Sequence, residues 1–303
     1  MISRRQLIIA SISALCLSAF RSPDSAMAES LATNPDLLSI EQGTGGRLGV
    51  ALIDAKGTLI AANRAHERFA MCSTFKATLA AAMMVAHDAG GLDRFAPIAV
   101  SEDDLVSYAP FTKKVLESGA WTTLDALAKN AVQLSDNSAA NIVMRAVGGP
   151  QAVTEFFKAH GGSNTRLDRW ETSLNENALG DPRDTTTPQS MAEHLRQILI
   201  AKNIGKDNAS TLQAWMIGTK TGDNRIRAGL PKSWTVGDKT GTSSPPAATY
   251  NDVAILWPGH GDYKGSPFIL TVYLDRPHVD GKAADTAIAD VARVAVKLVG
   301  LPD

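Results

Sequence analysis

The 303-residue sequence is poor in cysteine, since it has only two, Cys16 and Cys72. Cys16 lies in the apolar N-terminal segment described below, so a chain that loses this segment keeps one thiol and no internal disulfide. A chain of this length buries enough apolar surface to fold without a cross-link. The length predicts one large domain or two closely joined lobes.

An excess of charge of either sign is also missing. The sequence has 30 Lys and Arg residues against 31 Asp and Glu residues, a formal net charge of −1, and it contains no run of basic residues. This balance gives no reason to expect nucleic acid or an anionic membrane as a partner. The six histidines show neither HxHxD nor HExxH spacing, which argues against a metal site. We therefore predict no metal and no other cofactor.

Long apolar runs are confined to the N-terminus. Arg4 and Arg5 precede an apolar stretch over residues 7–20, and the small-residue sequence Ala26-Met27-Ala28 follows a few residues later. A charged, an apolar and a small-residue region in this order are typical of a secretory signal peptide. The paired arginines leave two export routes open, the twin-arginine and the general secretory route. We predict a signal peptide over residues 1–28 and an exported protein, periplasmic or secreted, without a membrane anchor.

Periodicity and turn residues predict strands at both ends of the mature chain and helices between them. Strands are predicted over residues 48–54, 58–62, 234–238, 253–257 and 268–274. Helices are predicted over residues 75–88, 123–134, 137–147, 150–159, 189–201 and 283–298. Short connections among the last three strands favour antiparallel pairing. The strands of both ends share one sheet only if the helical block forms a lobe of its own, with a cleft beside it as the expected site.

The first of three short motifs is Ser73-Thr74-Phe75-Lys76. Residues three apart share a helix face, so Lys76 is expected to reach the Ser73 hydroxyl. A serine hydroxyl becomes an effective nucleophile when a neighbouring base takes its proton. Lys76 is such a base if burial or another cation lowers its pKa. A serine at a helix start also lies beside free backbone N–H groups that suit an oxyanion.

The second and third motifs are Ser135-Asp136-Asn137 and Lys239-Thr240-Gly241-Thr242. The second, taken alone, indicates a turn or a helix N-cap. The third follows a predicted strand, where Gly241 would let a ligand approach the backbone and Lys239 would attract an anionic group. Another Lys-Thr-Gly occurs at residues 220–222, in a polar turn without a strand edge, so we favour the copy at 239.

The order and separation of these motifs resemble the class A β-lactamases, which carry Ser-x-x-Lys, Ser-Asp-Asn and Lys-Thr-Gly. The resemblance spans nearly the whole mature chain. It implies an α+β fold, with a mixed α/β lobe whose antiparallel sheet is flanked by helices and a second, all-α lobe. We assign residues 29–65 and 216–303 to the α/β lobe and residues 66–215 to the all-α lobe, with the active site in the cleft between them.

A long polar stretch, residues 161–188, is here called the omega segment. A stretch of this length without regular structure is more often functional than idle. It resembles the omega-shaped loop of the family, which implies Glu171 as the base for a deacylating water and Asn175 as the residue that holds this water. The resemblance also implies that Arg169 and Asp184 tie the ends of the segment together.

The resemblance implies the remaining roles in β-lactam hydrolysis. Ser73 attacks the lactam carbonyl, the backbone N–H groups of Ser73 and Thr242 form an oxyanion hole, and Ser135 passes a proton to the departing nitrogen. Lys76 is assigned to the activation of Ser73, although Glu171 competes for this role in the family.

Substrate recognition is implied in the same way. Asn137 is expected to hold the side-chain amide of the substrate, and Lys239, Thr240 and Thr242 its carboxylate. Arg225 resembles an arginine that some members aim at this carboxylate, with a surface arginine as the alternative and Arg227 as the outward one. Tyr108 resembles the aromatic wall of the cleft, with core packing as the alternative.

Cys72 marks a departure from some carbapenem-hydrolysing members. They pair this cysteine with another one after the Lys-Thr-Gly-Thr motif, and here that place holds Ser243. We therefore expect Cys72 to be a buried small hydrophobic residue. The following loop also contains Pro245 and Pro246. We expect turnover of penicillins and cephalosporins and weak turnover of carbapenems.

Three other functions compete with this interpretation. A penicillin-binding DD-peptidase shares the Ser-x-x-Lys chemistry but lacks the deacylating glutamate, and a β-lactam sensor stays acylated and is usually joined to a membrane segment. A zinc β-lactamase is the third alternative, and the histidine spacing argues against it because it lacks the zinc-binding patterns HxHxD and HExxH. Glu171 and Asn175 favour the serine hydrolase. Its partners would be a small β-lactam and a water, and a monomer is the family expectation.

Overall fold

The computed structural model describes residues 34–299. The predicted signal peptide, residues 1–28, lies outside the described residues, so its prediction stays open. Within residues 34–299, no helix combines the length and the apolarity that crossing a bilayer requires.

A five-stranded antiparallel sheet joins the two ends of the described chain. The strands are β1 (Arg47–Asp54), β2 (Leu59–Asn63), β3 (Phe69–Ala70), β4 (Thr185–Thr186), β5 (Thr235–Ser243), β6 (Thr249–Trp257) and β7 (Phe268–Asp275). The large sheet has the order β2-β1-β7-β6-β5, and β3 pairs with β4 separately. β1 pairs with β7 along its whole length, and β5, β6 and β7 pair antiparallel. The predicted sharing of one sheet and the antiparallel pairing are confirmed.

Two of these strands are longer than the sequence indicates. β5 continues past the predicted end at residue 238, because its ladder with β6 runs on to the pair Ser243↔Thr249. For the same reason β6 begins at Thr249 rather than at residue 253. The Lys-Thr-Gly-Thr motif is therefore part of the edge strand of the sheet.

Ten helices occur within residues 34–299. They are α1 (Pro35–Thr44), α2 (Lys76–Asp88), α3 (Thr112–Ser118), α4 (Leu124–Gln133), α5 (Asn137–Ala146), α6 (Pro150–Ala159), α7 (Pro188–Leu195), α8 (Lys206–Ile217), α9 (Ile226–Gly229) and α10 (Gly281–Leu298). A short 3-10 turn, Cys72–Phe75, precedes α2. A π-type turn, Arg196–Ile200, prolongs α7 to nearly the predicted end of that helix. The sequence pattern does not indicate α1, α3 or α9.

Two apolar cores lie on opposite faces of the sheet. One core packs Val50, Leu270 and Val272 against Ile288 and Val291 of α10. The other combines sheet residues with the apolar residues of the helical block, including α2, α4, α5 and α8. α2 lies among the other helices of this block, against α4, α5, α6 and α8, and nine consecutive residues from its start, among them Lys76, are buried. The division into lobes at residues 66 and 216 stays a prediction.

Candidate active site

A cleft of about 380 Å³ brings together residues from distant parts of the sequence. Its lining comprises Ser73, Tyr108, Ser135, Asn137, Asn175, Thr221, Arg225, Thr240, Thr242 and Ser244. Thr221 and Ser244 are the lining residues that the motifs do not indicate. Lys76, Glu171, Lys239 and Gly241 belong to the same region but lie beneath its surface.

Ser73 lies on the 3-10 turn Cys72–Phe75, directly before α2. Its side chain is almost buried, and its hydroxyl donates to Glu171 Oε1 over 3.2 Å. The hydroxyl is thus oriented towards a carboxylate that lies 98 residues away in the sequence.

Lys76 is fully buried. Its Nζ donates to the Ser135 carbonyl oxygen at 2.9 Å and to Asn137 Oδ1 at 2.5 Å. It also forms an ion pair of 2.9 Å with Glu171 Oε1. The direct contact with the Ser73 hydroxyl, expected from the helical spacing, is replaced by a shared contact, because both groups meet at Glu171 Oε1. Burial lowers the pKa of Lys76, while the negative charge of Glu171 opposes this shift.

Glu171 is held by two asparagines. The Asn141 side chain accepts from the Glu171 backbone N–H at 3.0 Å and donates to the Glu171 carbonyl at 2.9 Å. Asn175 Nδ2 donates to Glu171 Oε2 at 2.7 Å. Sequence reasoning missed Asn141, although its position four residues after Asn137 places both on one face of α5.

Ser135 and Lys239 face each other across the cleft. The Lys239 ammonium donates to Ser135 Oγ at 3.0 Å and to the Thr240 carbonyl at 2.7 Å. Burial, together with the positive charge of Lys76, lowers the pKa of Lys239 to about 7. Asp136 is the N-cap of α5, as the local pattern indicates, and its carboxylate accepts from the Ala139 backbone N–H at 2.7 Å.

Comparison with known proteins assigns this arrangement to a family. An ancestral class A β-lactamase of solved structure is 44% identical, with a TM-score of 0.81 and coverage of 89% of this chain and 99% of that one. A family model described as the Beta-lactamase enzyme family matches residues 34–299. The chain belongs to the class A β-lactamase family. It is a hydrolase that opens β-lactams, an activity that supports antibiotic resistance.

Named relatives agree with this membership. β-Lactamase OXY-2 of Klebsiella oxytoca is 39% identical over 266 residues, which cover 88% of this chain and 89% of the relative. The carbapenem-hydrolyzing β-lactamase KPC of Klebsiella oxytoca is 36% identical over 264 residues, covering 86% and 87%. A solved β-lactamase from Xanthomonas campestris pv. campestris is 39% identical with a TM-score of 0.82, covering 90% and 98%.

Arg169 and Asp184 form a buried pair in the omega segment of this β-lactamase. Asp184 is fully buried and accepts from the backbone N–H groups of Asp168 and Arg169 at 2.7 and 3.0 Å, as well as from Arg169 Nε. Arg169 also pairs with Glu176. The Asp184 carbonyl accepts from the Met71 backbone N–H at 2.9 Å, close to the turn that carries Ser73.

The missing side chain of Gly241 makes room for the protein itself, not for a ligand as the sequence suggests. A Cβ at this position would lie 2.6 Å from the Met71 carbonyl oxygen and 3.2 Å from Cys72 Cβ. β5 therefore passes directly against the turn that carries the serine. The glycine is needed because this backbone approach leaves no space for a methyl group.

The second Lys-Thr-Gly, at residues 220–222, is not part of a strand, in agreement with the preference for the copy at 239, but it lies beside the site. Thr221 lines the cleft, and its hydroxyl lies 2.7 Å from that of Thr240. The physical reason is Gly222, because a Cβ there would lie 2.0 Å from Asp238 Oδ2. The glycine lets this segment pack on β5.

Arg225 lines the cleft and is only 7% exposed, so it is not a surface arginine. It donates to Asp285, to the carbonyls of Gly241 and Asn251, and to Thr242 Oγ1, over 2.7–3.0 Å. The expectation that Arg227 points outward is wrong, since Arg227 pairs with the fully buried Asp238. The buried carboxylate draws this second arginine inward.

Tyr108 and Cys72 have opposite environments. Tyr108 is 60% exposed and lines the cleft, so core packing does not describe it. Cys72 is fully buried, and burial raises the pKa of its thiol to about 12. Ser243 is the last residue of β5, and its hydroxyl donates to the Ala247 carbonyl at 2.9 Å.

Proposed function

We propose that this β-lactamase hydrolyses penicillins and cephalosporins through an acyl-enzyme on Ser73, which a water activated by Glu171 then clears. The observation that carries the proposal is the shared contact of Ser73 Oγ and Lys76 Nζ with Glu171 Oε1, while Asn175 binds the other oxygen of the same carboxylate. One carboxylate thus connects the nucleophile, the lysine and the candidate water site.

In the proposed acylation, Ser73 Oγ bonds to the lactam carbonyl carbon as its proton leaves to a base. A lowered lysine pKa favours the neutral amine that can accept this proton, which supports Lys76 as the base. The backbone N–H groups of Ser73 and Thr242 are assigned to the oxyanion, because β5 packs against the serine turn at Gly241. A donor of this kind typically contributes about 10²–10³ in rate.

Proton delivery to the leaving nitrogen is assigned to Ser135. An ammonium group can only donate hydrogen bonds, so Ser135 Oγ accepts from Lys239 and keeps its own hydrogen for another acceptor. When the lactam C–N bond breaks, this hydrogen can pass to the nitrogen. Lys76, which bonds to the Ser135 carbonyl, is assigned to replace the proton that Ser135 gives up with the one it took from Ser73.

Deacylation is assigned to Glu171 and Asn175. Asn175 Nδ2 donates to Glu171, while Asn175 Oδ1 is buried without a hydrogen-bond partner among residues 34–299. A buried amide oxygen in this state is costly unless water satisfies it. A water between Asn175 Oδ1 and Glu171 would give its proton to Glu171 and attack the ester carbonyl, which releases Ser73.

Substrate anchoring is assigned to Lys239, Thr240 and Thr242 for the carboxylate and to Asn137 for the side-chain amide. Thr242 Oγ1 accepts from Arg225 Nη2, so its own hydrogen is free for the substrate. Most N–H groups of Arg225 donate hydrogen bonds to other groups of the protein. We therefore assign Arg225 the orientation of Thr242 and long-range attraction of the carboxylate. Tyr108 is assigned to the opposite wall, and the enzyme is proposed to act as an exported monomer.

The proposal is tested by the ratio of substrates. We expect many turnovers of benzylpenicillin and nitrocefin, kcat/KM for a carbapenem at least tenfold lower, and an acyl adduct on Ser73 in quenched samples. The expected weakness towards carbapenems follows from Ser243, which cannot form a disulfide with Cys72. Ser73→Ala should abolish both turnover and adduct. A carbapenem kcat/KM equal to that for benzylpenicillin would refute the proposed substrate spectrum. Turnover by Ser73→Ala would refute Ser73 as the nucleophile.

The lowered pKa of Lys239 predicts that substrate capture depends on pH. The pKa of Lys239 is lowered to about 7, so the ammonium form dominates below this pH and is lost as the pH rises through it. Because kcat/KM reports the pKa values of the free enzyme, kcat/KM for benzylpenicillin should fall above about pH 7. A benzylpenicillin methyl ester, which has no anionic carboxylate, should show a weaker decline. Identical profiles for acid and ester between pH 6 and 9 would contradict the assigned role.

A further inference from the structure

The omega segment is attached to the sheet at a point outside the predicted motifs. Asn177 Nδ2 donates to Asp275 Oδ1 at 2.6 Å and to Thr249 Oγ1 at 3.0 Å. The Asn177 carbonyl accepts from Arg276. Both the side chain and the backbone of Asn177 are therefore held by the end of β7 and the start of β6. Asp275 and Thr249, which accept from Asn177, are buried, while Asn177 itself is half-buried.

The same point also holds the loop between β5 and β6, residues 244–248. The Arg276 backbone N–H donates to the Ala248 carbonyl at 2.8 Å. Thr249 Oγ1 donates to the Ala247 carbonyl at 3.2 Å. This loop carries Ser244, which lines the cleft. One side of the cleft and the omega segment thus meet at a single group of hydrogen bonds around Asp275 and Arg276.

Asn177 follows Asn175 by only two residues. Glu171 has its own attachment, because Asn141 binds its backbone on both sides. Within residues 34–299, no other element forms a hydrogen bond with Asn175. Its Nδ2 bonds to Glu171 Oε2 and to the Thr172 carbonyl, both within the omega segment. Two residues further along the omega segment, Asn177 forms hydrogen bonds with β6 and β7.

We infer that Asn177 is a positioning residue for deacylation, which fixes Asn175 relative to Glu171 by attaching the omega segment to β6 and β7. The inference rests on the proposed roles of Glu171 and Asn175. Acylation should depend on it little, because Ser73, Lys76, Ser135 and Lys239 belong to other elements. Misplacement of a positioning group by about 1 Å can cost about 100-fold in rate.

The variant Asn177→Ala should fold, because it leaves no buried group without a partner. Asp275 keeps its bonds from Arg47 and Arg276, and Thr249 keeps its bond to Ala247. We expect the melting temperature to fall by about 5 °C, the shift expected for loss of the two hydrogen bonds of the Asn177 side chain in a protein of this size.

We expect Asn177→Ala to lower kcat for benzylpenicillin by about tenfold and to lower KM by a similar factor. The ratio kcat/KM should stay within about twofold of the wild-type value, since it reports only the steps up to acylation. Acyl-enzyme on Ser73 should accumulate in the steady state, visible as a burst and by intact mass. A purely structural loss would lower the amount of active enzyme without this split between kcat and KM.

Arg183→Ala is the matched control. Arg183 pairs with Asp181 inside the same segment, and its side chain is about half exposed, so this variant should behave as wild type. Thr249→Val removes one acceptor of Asn177 and should show a smaller effect, less than additive with Asn177→Ala. An unchanged kcat in Asn177→Ala, or a parallel loss of kcat and kcat/KM without accumulated adduct, overturns the inference.

Glu171→Gln in the same assay separates this inference from the function on which it rests. If Glu171→Gln traps the acyl-enzyme and Asn177→Ala does not, only the role of Asn177 is wrong. If Glu171→Gln turns over like wild type, the proposed deacylation itself is wrong.

Discussion

Glu171→Gln should stop this β-lactamase after one acylation, with the acyl group left on Ser73. The amide keeps an oxygen for Ser73 and Lys76 but cannot take a proton from water. Removal of a general base typically costs about 10²–10⁴ in rate, so we expect kcat to fall at least 100-fold. Intact-mass analysis with benzylpenicillin should show one adduct per molecule, and nitrocefin should give a burst without turnover.

The rate at which this adduct forms identifies the acylation base. The charge of Glu171 opposes the lowering of the Lys76 pKa by burial, so its removal should lower this pKa further and leave more neutral amine. Fast acylation of Glu171→Gln then supports Lys76, and acylation slowed as much as deacylation supports Glu171. Glu176→Gln is the control, because Glu176 lies in the same segment with its side chain mostly exposed, and it should keep near wild-type kcat.

Asp184→Ala should give the largest loss of stability. The substitution leaves Arg169 without its buried partner and the backbone N–H groups of Asp168 and Arg169 without their acceptor. Breaking a buried pair in this way typically costs about 3–5 kcal/mol. In a protein of this size, this corresponds to a fall of about 10 °C in melting temperature. Thermal unfolding followed by circular dichroism measures this shift directly.

The same variant should also accumulate acyl-enzyme below its melting temperature, because the omega segment that carries Glu171 loses its closure. Arg183→Ala serves as control, since the Arg183 side chain is about half exposed and binds Asp181 of the same segment. Its melting temperature and kcat should change little. Equal melting temperatures of wild type and Asp184→Ala would show that the pair does not close the segment.

Local sequence signals predicted the elements that local physics controls. The helix at residues 150–159 was predicted at its observed bounds, because Gly149 ends the preceding turn and Pro150 suits the first helical position. Asp136 was indicated as a cap because its short side chain reaches the backbone of the next turn. The length of β5 was not predicted, since its second half is fixed by pairing with β6 and not by its own residues.

The sequence by itself determined the three motifs, the α+β class and the family resemblance, because these depend on residue type, spacing and periodicity along the chain. Only the tertiary structure decided that Ser73 and Lys76 meet at one oxygen of Glu171, that Arg225 is committed to Thr242, and that Asn177 attaches the omega segment to the sheet. These contacts join residues far apart in the sequence, and they depend on how whole elements pack. The same holds for the lowered pKa of Lys239, which arises from burial and from Lys76 and not from any residue beside it in the chain.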